Sequence, residues 1–300
     1  LSVSDPALDF PMFDDLRAQG STEYFAAKRS FLHSDHATPI DPTLHEEGAT
    51  ISMTTDAEGG FTTAQLNGLR DLLAPICLTL KSAANRAMAE DITAAYLGGD
   101  ASKRVLSGAI TRGSSETISA VIWYFDLQRF TKMSETLEGT QIIDLLNDYF
   151  AEAVDVVEKH GGNVLKFMGD GMLAIFDLDA MPDARLAAIE AAVEMRQTFE
   201  ALNPKRVEEG LPTTGFTLGL HAGDVLYGNI GGRNRLDFTV IGPAVNATSR
   251  ILGMSGPLDQ TIVISEAVAA PLRESRKDIV SLGQYRLRGV AERLELFTLD

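Results

Sequence analysis

Ala120-Val121-Ile122-Trp123-Tyr124-Phe125 is an uninterrupted apolar run that stops at Asp126. Read as a strand, it offers no polar face to water, so other elements must cover it on both sides. The residues that follow supply that cover. Over about 140–160, Ile142, Leu146, Tyr149, Ala153 and Val156 share one helical face, and Gly161 marks the stop. Two strands, Asn163–Met168 and Met172–Phe176, are joined through the hairpin signal Gly169-Asp170-Gly171. A second helix over about 183–202 leads to a strand at Phe216–His221. The order βαββαβ is the split-βαβ, ferredoxin-like arrangement, so the expected class is α+β, with a C-terminal extension after it.

Upstream lies different material. Thr50–Thr55 alternates well enough for one strand, and Asp56-Ala57-Glu58-Gly59-Gly60 is a turn signal, which predicts a small α/β remnant. Thr62 and Gln65 then have capping-box spacing at the start of a long helix. Leu66, Leu69, Leu73, Ile76, Leu80, Ala83 and Ala87 recur at steps of three and four, a heptad stripe. Such a stripe zips two chains together in parallel or packs on its own domain. Pro75 weakens both readings, since an interior proline costs a helix about 3 kcal/mol or kinks it. Gly98-Gly99-Asp100 ends the helix. The expected division is a regulatory region at 1–97 with its helix at 62–97, a Gly/Ser-rich linker at 98–118, and a main domain at 119–300.

The net charge is −16, and residues 1–60 carry eleven acidic side chains against three basic ones. That balance argues against a general binder of nucleic acid or anionic membrane, both of which need clustered Lys and Arg. An enzyme acting on a polyanion is still allowed if a metal ion or a few placed cations supply local positive charge. The single cysteine, Cys77, excludes an internal disulfide and a multi-cysteine zinc site. No apolar stretch reaches the roughly 18–20 residues of a membrane-spanning helix, and the expected location is the cytoplasm.

Asp126 ends the buried strand, and Asp170 sits at the tip of the hairpin that neighbours it in a split-βαβ sheet. Two converging carboxylates repel unless a cation lies between them, and hard oxygen ligands suit Mg²⁺ or Mn²⁺. Taken alone, Asp170 between glycines reads as a turn residue. Paired with Asp126, it reads as a metal ligand. The strand-to-helix turn Leu127-Gln128-Arg129-Phe130-Thr131 has backbone N–H groups suited to phosphate oxygens. Asn246 and Arg250 are four apart and share a helix face. His33, His36 and His45 lack metal-ligand spacing and read as solvated loop, whereas His221 reads as a packed or hydrogen-bonded core residue.

Three segments in order carry a resemblance: Phe125-Asp126-Leu127-Gln128-Arg129-Phe130-Thr131, Lys166-Phe167-Met168-Gly169-Asp170-Gly171, and Phe238-Thr239-Val240-Ile241-Gly242-Pro243-Ala244-Val245-Asn246 with Arg250. Together, over residues 119–300, the chain resembles the class III nucleotide cyclase catalytic domain. The Gly-Gly-Phe-Thr segment at Gly59–Thr62 is weakly similar to the end of a GAF-type sensor domain. The cyclase resemblance implies that Asp126 and Asp170, assisted by the carbonyl of Leu127, bind two Mg²⁺ or Mn²⁺ ions per active site. It implies that backbone at Phe130 and Thr131 holds the triphosphate. It further implies a head-to-tail homodimer in which Asp126 and Asp170 of one protomer face Lys166, Thr239, Asn246 and Arg250 of the other.

Within that resemblance, Lys166 donates to adenine N1 and Thr239 accepts from the adenine amino group. Asn246 orients the ribose, and Arg250 offsets charge on the α-phosphate. The implied activity is conversion of ATP to 3′,5′-cyclic AMP and pyrophosphate, and the alternatives are a guanylate cyclase or a catalytically silent nucleotide-binding, dimerising domain. Two positions depart from the family pattern. Arg129 stands where a small residue, commonly Gly, is usual, and its side chain would either block phosphate or lend it positive charge. The basic residue for the terminal phosphates falls on Arg288, with Arg286 as the lesser candidate.

Overall fold

A computed structural model describes residues 11–31, 48–108, 111, 113–232, 235–290 and 292–300. The chain divides into two compact units, Leu1–Asp91 and Ile92–Asp300. The first contains helix α1 (Pro11–Ala18), the antiparallel strands β1 (Glu23–Ser30) and β2 (Gly48–Thr55), and most of helix α2 (Thr63–Leu97). Of these, α1 and β1 were not anticipated. His33, His36 and His45 lie outside the described residues. At the start of α2 the Thr62 amide donates to Gln65 Oε1 at 2.8 Å, and the Gln65 amide donates to Thr62 Oγ1 at 3.3 Å. The capping box is therefore reciprocal. Pro75 does not end the helix, and the Thr79 hydroxyl donates to the Pro75 carbonyl at 2.9 Å.

The second unit is built on one sheet, ordered β4-β5-β3-β6-β8-β10-β9, with β7 also paired to β6. Its strands are β3 (Ser115–Leu127), β4 (Asn163–Met168), β5 (Gly171–Asp177), β6 (Phe216–Gly231), β7 (Leu236–Ile241), β8 (Ile262–Ser265), β9 (Ile279–Tyr285) and β10 (Leu294–Leu299). Its helices are α3 (Gly99–Leu106), α4 (Phe130–Ser134), α5 (Gly139–Lys159), α6 (Ala184–Glu208), α7 (Pro243–Leu252), α8 (Ser255–Leu258) and α9 (Glu266–Ala269). The split-βαβ core is β3-α5-β4-β5-α6-β6, antiparallel throughout its sheet.

Strand β3 is central, and its alternation shows why the apolar run had to be continuous. Val121, Trp123, Phe125 and Leu127 join α5 and α6 in the main core. Ile118, Ala120 and Ile122 face the other side, among Leu173, Ile175, Val225, Tyr227, Phe238 and Val240.

Three expectations need adjusting. Strand β6 runs to Gly231 rather than His221, because pairing with β3 continues through Ala222↔Val121, Gly223↔Ala120 and Asp224↔Ser119. Helix α6 extends to Glu208. Residues 98–118 are more than a connector: they include α3 and the first residues of β3, and Ala101 and Ser102 are buried.

Helix α7 lies directly on β6. A Cβ on Gly219 would stand 2.9 Å from the Leu252 amide nitrogen and 3.0 Å from the Thr248 carbonyl, so only a bare Cα permits this approach. Ala244, Ala247, Thr248 and Ile251 are buried beneath it, which leaves Asn246 and Arg250 on its exposed face.

Candidate active site

The end of β3 and the β4–β5 hairpin bring two carboxylates together. Asp126 is paired in register with Gly171, the residue after Asp170, and the Leu127 amide donates to the Asp170 carbonyl at 3.1 Å. Burial and the neighbouring Asp170 charge push the Asp126 carboxyl up to about 6. Burial, together with the charges of Asp126 and Asp170, likewise pushes up the Tyr124 phenol behind them. Among the described residues no cationic side chain offsets the Asp126 charge. A pair of hard-oxygen ligands that lacks a counter-charge fits a divalent cation. Among the described residues no group of three or more His, Cys, Asp and Glu gathers to hold a metal ion.

The following turn is tightly fixed. The Gln128 amide donates to the Gly215 carbonyl at 2.9 Å, its side chain donates to the Phe216 carbonyl at 2.9 Å, and the Thr214 hydroxyl donates to the Gln128 carbonyl at 2.7 Å. Arg129 then takes a left-handed conformation, φ 58 and ψ 20, as the cap of α4. This conformation costs a side-chain-bearing residue about 1–2 kcal/mol, which accounts physically for a glycine preference at this position. The Arg129 side chain is exposed. Phe130 and Thr131 open α4, where the first backbone N–H groups have no partner within the helix.

A second group forms where β4 meets β7. Lys166 Nζ donates to Asp237 Oδ2 at 2.9 Å. Asp237 and Thr239 are two apart on β7 and therefore share a face. Thr239 is 5% exposed, and its hydroxyl has no hydrogen-bond partner among the described residues. An unpaired buried hydroxyl costs about 1–3 kcal/mol. Sequence reasoning missed Asp237, although its i−2 spacing from Thr239 on a strand was a usable signal.

A third group lines a cavity of about 1030 Å³: Asn246 and Arg250 from α7, Arg288 from the β9–β10 connection, and also His221 and Asp224. Arg286 is absent from that lining. His221 Nδ1 lies 2.8 Å from Ser265 Oγ, and burial holds its imidazole below the ordinary histidine range. His221 is therefore hydrogen-bonded, as read from sequence, but it also borders the cavity. Neither Asp126 nor Asp170 lines this cavity, so one chain does not gather all the candidate residues around one void.

Residues 113–300 match the family model described as the adenylate and guanylate cyclase catalytic domain. An adenylate cyclase of Anabaena cylindrica is 36% identical over 164 residues, covering 53% of this chain and 32% of that protein. The adenylyl cyclase CyaB from P. aeruginosa superposes with a TM-score of 0.58 at 25% identity, covering 62% of this chain and 96% of that structure. The guanylyl cyclase Cya2 superposes with a TM-score of 0.54 at 29% identity, covering 62% of this chain and 93% of that structure. This chain spans about a third of the length of the curated relatives it matches. With the family match running over the sheet, the carboxylate pair and helix α7, this chain belongs to the adenylate and guanylate cyclase catalytic-domain family.

Proposed function

We propose that this chain is an adenylate cyclase unit that converts ATP to 3′,5′-cyclic AMP and pyrophosphate at sites shared between two copies. The observation that carries the choice of base is the Lys166–Asp237–Thr239 group. An ammonium held at the base position offers N–H donors to the unprotonated N1 of adenine, whereas guanine presents an N–H there. The free Thr239 hydroxyl is suited to accept from the adenine amino group. The names of the Anabaena and P. aeruginosa relatives support the same reading. Cya2, a guanylyl cyclase of comparable identity, makes GTP the competing substrate to test.

In this reading Asp126, Asp170 and the Leu127 carbonyl hold Mg²⁺ or Mn²⁺, two per site, which when bound acidify the ribose 3′-hydroxyl and offset triphosphate charge. The α4 amides of Phe130 and Thr131 hold the triphosphate, and Arg288 receives its terminal phosphates. Asn246 orients the ribose, while Arg250 offsets charge developing on the α-phosphate. The ribose 3′-oxygen bonds to the α-phosphorus as the bond from that phosphorus to the bridging oxygen breaks. Pyrophosphate leaves, and the hydroxyl proton passes to solvent. Positioning and electrostatics supply the catalysis. Residues 1–97 serve as the regulatory region.

The test is turnover of ATP and of GTP by the purified chain with Mg²⁺ and with Mn²⁺, assaying cyclic nucleotide and pyrophosphate. Cyclic AMP in at least about tenfold preference, rising more than linearly with enzyme concentration, is expected for an adenine-reading site built from two chains. A preference for GTP overturns the assignment of the base. A folded, ATP-binding chain that makes no product moves the reading to a silent regulatory domain.

A further inference from the structure

We propose that Asp100 and Tyr227 form a positioning pair that sets where β4 holds Lys166 against the Asp237–Thr239 face of β7. The inference rests on the base-reading role given to Lys166 above, and it adds two residues that touch neither nucleotide nor metal.

Lys166 pairs with Leu173 on β5, but the ladder shifts register immediately before it, which leaves Leu165 as an extra residue in β4. Further contacts brace this irregular point. Helix α2 ends at Leu97, and Gly98 follows with φ 80 and ψ 163, a conformation open essentially to glycine alone. A Cβ on Gly98 would stand 2.7 Å from the Val164 carbonyl oxygen, so the elbow between α2 and α3 lies backbone against backbone on β4.

Just beyond the elbow, one hydrogen-bonded chain joins α3, β6 and β4. The Tyr227 hydroxyl donates to Asp100 Oδ2 at 2.7 Å and accepts from Asn163 Nδ2 at 3.2 Å. The same Asp100 oxygen accepts from Arg104 Nε at 2.8 Å, and the Arg104 guanidinium lies 5.0 Å from the centre of the Tyr227 ring. Arg104 also pairs with Glu116 on β3. Asn163 is the first residue of β4, three before Lys166.

The other arm reaches β7. Tyr227 is 2% exposed and meets Phe238 edge to face at 4.8 Å. Phe238 stands between Asp237 and Thr239, so the position of the Tyr227 ring is transmitted to both. Leu97, Ala101, Leu165, Tyr227 and Phe238 belong to one apolar cluster, which gives the elbow and both strands a common packing. A core serving stability alone would accept phenylalanine at 227. The hydroxyl instead ties α3 to β4 at the point where the ladder is irregular.

The test compares Tyr227→Phe, which keeps the ring and removes the hydroxyl, with Asp100→Ala and the conservative Asp100→Asn. The kcat and KM for ATP and GTP are measured with Mn²⁺, alongside equilibrium binding of 3′-deoxy-ATP, which cannot cyclise. Tyr227→Phe and Asp100→Ala are each expected to lower the ATP-to-GTP ratio of kcat/KM by about tenfold, mostly through KM. Binding of 3′-deoxy-ATP weakens in parallel, the Mn²⁺ dependence stays unchanged, and Asp100→Asn retains most of the selectivity because its amide oxygen still accepts from Tyr227. Lys166→Ala is run beside them. If it abolishes selectivity while Tyr227→Phe and Asp100→Ala leave both selectivity and analogue binding at the parent level, the positioning pair is wrong and the base-reading role stands. If Lys166→Ala itself leaves selectivity unchanged, both readings fall together.

Discussion

Asp126 is a carboxylate whose surroundings favour the proton. Its folded-state value is about 6 against an ordinary 3.8, so between those two values the folded protein binds more protons than the unfolded chain. Stability of the metal-free protein therefore falls as pH rises through about 4 to 6, and the cost persists at neutral pH. The carboxylate is only half-buried, and solvent screening reduces that cost to about 1 kcal/mol. Asp126→Asn should thus stabilise the metal-free protein by about 1 kcal/mol at pH 8 and by nothing measurable near pH 3.5. Adding Mn²⁺ should reverse the order, because a cation bound only by the folded parent stabilises it and not the variant. Thermal melts at the two pH values, with and without Mn²⁺, check both signs. Arg129 is the second case. Its left-handed backbone is strained, so Arg129→Gly should raise stability by a few tenths to about 1 kcal/mol, the relief being partly offset by the freer unfolded chain. If its side chain neither blocks nor assists phosphate, kcat/KM for ATP stays within about threefold. A larger rise would identify it as an obstruction, and a larger fall as a phosphate contact.

At the scale of elements, the readable part of the chain was the part whose local pattern and tertiary role agree. The run Ala120–Phe125 has apolar side chains on both faces because both faces of β3 are covered, and the hairpin glycines bracket Asp170 where the chain reverses. The extension of β6 was not readable, since His221-Ala222-Gly223-Asp224 has turn chemistry that pairing with β3 overrides. Helix α3 was hidden for a related reason. Its Gly-Gly-Asp entry reads as a break, and only the burial of Ala101 and the bonds from Asp100 show why a helix resumes there. The spacing of Asp237 from Thr239 placed the two on one strand face, but its pairing with Lys166 is set by tertiary placement and was not readable. The elbow carries a prediction of its own. Gly98→Ala places a Cβ at 2.7 Å from the Val164 oxygen and forces a non-glycine residue into a glycine conformation. It should destabilise the protein by about 2 kcal/mol or more, read as a lowered urea midpoint with unchanged slope. A variant that melts like the parent would show that the elbow relaxes without cost.

For the molecule as a whole, the candidate residues form three groups: the carboxylates of β3 and the β4–β5 hairpin, the Lys166–Asp237–Thr239 face, and the cavity of Asn246, Arg250 and Arg288. Neither carboxylate lines the cavity on one chain, as is expected if a second copy completes each site. A two-fold head-to-tail pair would then contain two composite sites, each with carboxylates from one chain and the α7 residues from its partner. Asp170→Ala and Asn246→Ala should each abolish turnover alone, since both sites of either homodimer carry the lesion. Mixed in equal amounts and allowed to exchange, half of the dimers become heterodimers, and each of those has one doubly damaged site and one intact site. Activity should therefore return to about a quarter of the parent level, a value that random pairing of two-chain sites dictates. Exchange is verified independently by co-purification of two differently tagged chains. Heterodimers that form and remain inactive would place the whole site within a single chain, and recovery well above a quarter would mean that mixed pairing is preferred over self-pairing.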